Sequence, residues 1–198
     1  MNRGFTLIEL LVSIAIFVFM TLLVVVKYGS FNQSTLLTDT AYDIALSLRT
    51  AQTYGLSVKN INASFNVPYG ISFNTSATGN GCATPTSATA LVLYADTSEG
   101  SAATTDVYDC ADTPVNSYLI TRGATIGGLC VGDGSSCTYS GLSQLDVTFT
   151  RPYPEAVICA NGSSASCPYT YAAITLLGSD GSTRTITVRG NGQVSVEQ

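Results

Sequence analysis

Residues 5–17 read FTLIELLVSIAIF, and a single carboxylate, Glu9, stands near the start of this otherwise apolar run. Phe5 to Val26 is 22 residues, of which Glu9 alone can carry a charge. As a helix rising about 1.5 Å per residue the run extends about 33 Å, enough to cross the hydrocarbon core of a bilayer. A cleaved secretory signal is the alternative, but its apolar region is about 7 to 15 residues long and ends at a small-residue site. Val24, Val25, Val26 and Lys27 offer no such site. A retained membrane helix is therefore expected, with Arg3 and the terminal amine on the cytoplasmic side and the body outside. A carboxylate at the centre of such a helix costs about 2.5 to 3.5 kcal/mol. Glu9 thus either lies close enough to the cytoplasmic end to reach the headgroups or finds its partner on another molecule.

The rest of the chain limits what that helix can serve. The 198 residues carry only 11% charged side chains, with no histidine and no tryptophan, and the formal charge is -5. Length allows one ordinary domain besides the anchor. A composition rich in Thr, Ser, Gly and Ala suits a strand-rich body with many turns. The bases are scattered singly, whereas a nucleic-acid binder gathers them on one face, so DNA or RNA as a main partner is disfavoured. Without histidine the usual Ser–His–Asp triad cannot form and a cysteine nucleophile lacks its ordinary base. No enzymatic activity is expected, and no cofactor.

Cys82, Cys110, Cys130, Cys137, Cys159 and Cys167 all follow the anchor, in Gly, Ser and Thr-rich sequence. None of them forms a C-x-x-C pair, so disulfides in an oxidising compartment are the better reading. Six cysteines allow 15 connectivities. Pairing of neighbours is favoured, Cys82 with Cys110, Cys130 with Cys137, and Cys159 with Cys167, each stapling a loop poor in apolar residues.

Gly4-Phe5-Thr6-Leu7-Ile8-Glu9-Leu10-Leu11-Val12 resembles the class III signal and amino-terminal helix of type IV pilins and of the pseudopilins of type II secretion. The likeness lies in a short basic leader ending in Gly, then Phe, then Glu as the fifth residue after the junction. It implies that a prepilin peptidase cuts between Gly4 and Phe5 and methylates the new amine of Phe5. It also implies that Glu9 pairs with the terminal amine of a neighbouring subunit in a filament core, where an unpaired charge is heavily penalised. Removal of residues 1–4 takes Arg3 with it and leaves 7 bases against 13 acids.

The helix is expected to run on. Leu37, Ala41, Ile44, Leu48, Ala51, Gly55 and Val58 recur at gaps of four and three, one apolar stripe, while Asp39, Asp43, Arg49 and Gln52 suit solvent or a neighbouring subunit. One helix from Phe5 to about Val58, loosened around Gly29, follows. Unlike many pilins, the chain has no proline in its membrane segment. After Lys59 the period becomes two. Tyr69, Ile71 and Phe73, then Leu145, Val147 and Phe149, then Ile186 and Val188 alternate with smaller or polar residues, as half-buried strands do. Ala90 to Tyr94 is apolar on both faces and suits a central strand. Residues 172–177 and 183–189 flank a Gly-Ser-Asp-Gly-Ser turn, and a last strand covers 193–196. The expected fold is α+β: a long amino-terminal helix, transmembrane in its first half, packed on an antiparallel sheet with disulfide-stapled loops. The expected divisions are a leader 1–4, a membrane or filament-core helix 5–27, an amphipathic continuation 28–60 and a β-rich body 61–198.

Within the wider family, TFTRPYPEA at residues 148–156 and GSTRTITVRGNGQVSV at residues 181–196 most resemble H-type pseudopilins and related minor pilins. The partners this implies are other pilin or pseudopilin subunits, the prepilin peptidase, the membrane, and an inner-membrane platform with its assembly ATPase. Minor pilin or pseudopilin is the leading reading. A major type IV pilin, and a tip subunit for adhesion or DNA uptake, are the alternatives, with a lone anchored domain behind them. Asp106, Asp109 and Asp112 surround Cys110, but their every-third spacing misses the calcium-loop pattern, so a solvated acidic loop is expected and no metal site. Asn32, Asn62, Asn74 and Asn161 begin glycosylation sequons.

Overall fold

The computed structural model describes residues 4–57, 59–61, 65–77, 82, 84, 86–97, 106–121, 123–162 and 167–197, and for residues 26–32 the backbone. One helix, α1 (Leu7–Leu56), spans 50 residues, about 75 Å at 1.5 Å per residue. Its backbone runs through Gly29 without a break, so the expected loosening there is not seen. Val58, at the end of the expected stripe, lies outside the described residues.

Ten strands follow: β1 (Tyr69–Asn74), β2 (Ala90–Ala95), β3 (Thr113–Leu119), β4 (Thr125–Gly132), β5 (Tyr139–Ser140), β6 (Gln144–Phe149), β7 (Ala156–Ala160), β8 (Tyr171–Leu177), β9 (Thr183–Arg189) and β10 (Val194–Glu197). They form two antiparallel sheets of five strands, ordered β3-β2-β1-β6-β7 and β10-β9-β8-β4-β5. The single sheet expected from the strand pattern is thus corrected to two. β1, β2 and β6 belong to the first sheet and the β8–β9 hairpin with β10 to the second, with β3 and β4 extending one each.

Leu37, Ala41, Ile44, Leu48 and Ala51 are at most 2% exposed, and Gly55 is buried with them, so the stripe is the helix's contribution to the core. Tyr69, Ile71 and Phe73 of β1 join the same core, as do Leu145, Val147 and Phe149 of β6 and Ile174 and Ile186 of the hairpin. In the register Ile71 stands between Leu93 and Val147, and Ile174 opposite Ile186. Both sheets therefore close on one helix face.

Gly55 shows how close the approach is. A Cβ there would overlap the carbonyl of Phe149, lying 2.8 Å from its carbon. Polar ties pin the same helix half: Arg184 donates to Thr38 Oγ1 and Ser34 Oγ at 3.1 and 3.0 Å, and the Tyr118 hydroxyl donates to Asp43 at 3.0 Å. Gln52, expected on the solvent side, instead donates to the carbonyls of Pro154 and Gly192 at 3.1 and 3.3 Å.

The half-buried expectation for β1 and β6 is also corrected. All six residues of β1 and five of six in β6 are buried, because the face turned away from the helix is covered as well. Its cover is a second small cluster of Val92, Tyr94 and Tyr108, the last from the loop after β2.

Three disulfides join neighbours in chain order: Cys82 to Cys110, Cys130 to Cys137, and Cys159 to Cys167, with Cα atoms 5.0, 5.8 and 4.0 Å apart. The second and third each tie a strand to the segment that follows it, and the first ties a residue before β2 to one after it.

Candidate functional site

The amino-terminal half of α1 is the part of the molecule with unspent chemistry. Leu7–Val25 is a 19-residue stretch long and apolar enough to cross a membrane, and none of it is buried against the body. Phe5, Leu7 and Phe17 are each more than 70% exposed. The hydroxyls in this stretch are satisfied within the helix: Ser13 donates to the Glu9 carbonyl and Thr21 to the Phe17 carbonyl, both at 2.7 Å. Such bonds let polar side chains sit in hydrocarbon without an outside partner.

Glu9 has a local role that the opening stretch contains but that its reading as a lone charge passed over. Thr6 is the N-cap, and its Oγ1 accepts from the Glu9 amide at 3.4 Å. The Glu9 carboxylate in return accepts from the Thr6 amide at 3.4 Å and the Thr6 hydroxyl at 3.3 Å. This is a capping box, and its T-x-x-E signature directly before an apolar run was readable in the sequence. A negative side chain in the first turn also complements the helix dipole. Glu9 therefore needs no base to be held in place, yet its carboxylate stays exposed to whatever packs on the helix. Phe5, one residue before the cap, sits next to that carboxylate along the chain, and nothing crowds Gly4, where no atom lies within 4 Å of a Cβ position.

The remaining sequence candidates lie in the body. The acidic loop is not solvated as expected: Asp112 is 6% exposed and Asp146 and Asp96, which face it, 0% and 3%. Burial raises Asp112 to about 7 and Asp146 to about 7. Among the described residues no group of three or more acidic, cysteine or histidine side chains has the arrangement to hold a metal ion. Asn74 is 5% exposed and its side chain accepts from the Ser76 amide at 2.6 Å, so its sequon is closed. Asn161 is exposed, while Asn62 and the side chain of Asn32 lie outside the described residues. An open cleft of about 590 Å³ between β7 and the ends of β8 and β9 carries Glu155, Tyr169, Arg189 and Asn191. Its one cysteine, Cys167, is held in a disulfide.

A bare apolar helix with a capped acid in its first turn, running without interruption into a two-sheet body, defines a helix-led α+β protein whose amino-terminal helix is long and apolar enough to cross a membrane. Residues 1–25 match the family model described as the prokaryotic N-terminal methylation motif, and this supports a type IV pilin-like protein. Neither curated proteins nor solved structures give a match. The motif implies a structural subunit rather than an enzyme, and with the apolar helix it fits a pilin anchored in the inner membrane.

Proposed function

We propose that this chain is a minor pilin or pseudopilin, a subunit of a type IV pilus-like or type II secretion filament. Prepilin peptidase cuts between Gly4 and Phe5 and methylates the Phe5 amine. The processed subunit waits in the inner membrane with its body on the far side, and a platform protein and assembly ATPase then move it into the filament. The divisions at residues 4, 27 and 60 separate leader, core helix, amphipathic continuation and body.

The carrying observation is the contrast along one helix: residues 7–25 cover nothing in their own chain, while the stripe of Leu37, Ala41, Ile44, Leu48 and Ala51 is buried in it. An apolar surface of that extent is stable only in lipid or against other helices. In a bundle of such helices the Glu9 carboxylate, already turned toward the helix start by its capping box, neutralises the ammonium on Phe5 of the next subunit. A buried carboxylate left without that partner carries the desolvation penalty alone. The pair thereby sets the axial register between subunits.

The finer assignment to minor pilin or H-type pseudopilin rests on residues 148–156 and 181–196, which form the β6–β7 connection and the β9–β10 end of the second sheet. Mass spectrometry of the mature amino terminus tests the reading: N-methylated Phe5 is expected, and an intact Met1 or a start after Val26 overturns it. Sheared filaments separate the alternatives within it, since a minor subunit is recovered at low stoichiometry and a major one as the bulk.

A further inference from the structure

The first sheet's outer face holds carboxylates that filament assembly leaves unused. β1, β2 and β6 turn Ser72, Tyr94, Asp146 and Thr148 to that face, and residues 106–112 lie across it, tethered through Cys110 to Cys82. The Tyr94 hydroxyl donates to the Asp106 carbonyl at 3.4 Å and the Tyr108 hydroxyl to the Thr84 carbonyl at 2.8 Å, and the other attachments of this segment run largely through acids. The Tyr108 amide donates to Asp146 at 3.3 Å, and Gln144 bridges Asp146 and the Tyr108 carbonyl at 2.9 and 3.3 Å. The Asp106 amide donates to Asp96 at 2.7 Å, while the Thr148 hydroxyl donates to Asp106 at 3.0 Å. Asp112 accepts from the amides of Thr97 and Asp109 at 3.1 and 2.9 Å.

The charged and titratable groups facing one another here are Asp96 and Tyr94 from β2 and its end, Asp146 from β6, and Asp106, Tyr108, Asp109 and Asp112 from the segment; β1 contributes the neutral Ser72. Among the described residues no base figures in the groups acting on Asp106, Asp112 or Asp146. Buried acids with acid neighbours and no cation favour their protonated form.

We propose that residues 106–112 form a pH-governed clasp, seated most firmly on the sheet in acid and loosened as the pH rises to neutrality, with the Cys82–Cys110 disulfide keeping the loosened segment attached. Burial is the largest cause for all three acids, pushing Asp146 and Asp112 up to about 7 and Asp106 upward, while the hydrogen bonds they accept only partly offset it. The sign follows from linkage. A carboxyl whose folded value exceeds its free value of 3.8 takes up a proton on seating between those two points. Seating is therefore strongest below about 4, weakens as pH rises through the window, and levels off above about 7.

Amide hydrogen exchange on the full-length protein in detergent micelles, between pH 5 and 8 and corrected for intrinsic rates, tests this. Protection at the amides of Asp106 and Tyr108 is expected to fall up to about tenfold per pH unit from 5 to 7 for each titrating acid, then level off. Amides of the β8–β9 hairpin keep constant protection. Asp146→Asn and Asp112→Asn are each expected to lower the slope, and the double variant to lower it further to what Asp106 alone supplies; if Asp146→Asn does not fold, Asp112→Asn decides. A wild-type profile flat from pH 5 to 7, or Asn variants whose slope equals that of the wild type, overturns the clasp.

Discussion

Glu9 has an observed role in its own helix and a proposed one between subunits, and the two can be separated by substitution. Within the chain it closes a capping box with Thr6, an arrangement in which losing the cap costs about 1 kcal/mol of local helix stability. Between chains it neutralises an ammonium, on the reading above. Thr6→Ala is expected to fray the first turn and leave filament incorporation within about twofold, a local change of that size being small beside an intermolecular ion pair in a dry core. Glu9→Ala is expected to be processed normally and to reach filaments at least about tenfold less, the equilibrium equivalent of 1.4 kcal/mol. Immunoblots of sheared filaments against membrane pools read both, and equal losses in the two variants would reduce Glu9 to a cap. Gly55 makes a second residue-scale case. Helix propensity alone favours alanine there by about 1 kcal/mol, yet a methyl group would collide with the Phe149 backbone, which cannot rotate away. Overpacking of about 1 to 3 kcal/mol outweighs the propensity gain, so Gly55→Ala should lower the melting temperature of the body, and a stabilised variant would refute the close packing.

Among the elements, the three disulfides differ in the loops they close. Cys82–Cys110 spans 28 residues, against 7 and 8 for the other two. Chain entropy assigns about 3.6 kcal/mol to the long loop and about 2.5 to each short one. Replacing each pair by serine and measuring unfolding in urea should rank the first pair as the most costly, and a ranking led by Cys130–Cys137 would count against the entropic account. Strand legibility divides along similar lines. β1, β6 and the β8–β9 hairpin alternate cleanly, and the helix stripe recurs at fixed gaps, so each could be read from residue order alone. β3 and β4 could not. Pro114 interrupts the period of β3, and β4 carries Gly127 and Gly128 where the ladder slips by one residue, so neither segment has the alternation that marks a strand. The acidic loop misled for a different reason. A run of aspartates looks solvated until something covers it, and the cover here comes from Tyr94, Asp146 and Gln144, distant in sequence and placed only by the sheet.

At the scale of the whole molecule, anchoring and folding occupy separate halves of one helix. Side chains of residues 7–25 are not buried against the body, and among the described side chains the first of the helix to join the core is Leu37. Arg184, Gln52 and Tyr118 then fasten residues 34–52 to both sheets, so these ties between helix and body lie outside the membrane segment. A chain starting at residue 29 should therefore fold, remain soluble and melt within about 2 °C of the full-length protein in detergent, a shift that corresponds to about 0.5 kcal/mol in a domain of this size. It should also fail to enter filaments, because the surface that other subunits would cover has been removed. The two readouts bear on different links. A truncated body that melts far lower would mean that the amino-terminal half contributes to the fold, whereas one that folds normally and still joins filaments would place assembly in the sheets and leave the bare helix with the membrane alone.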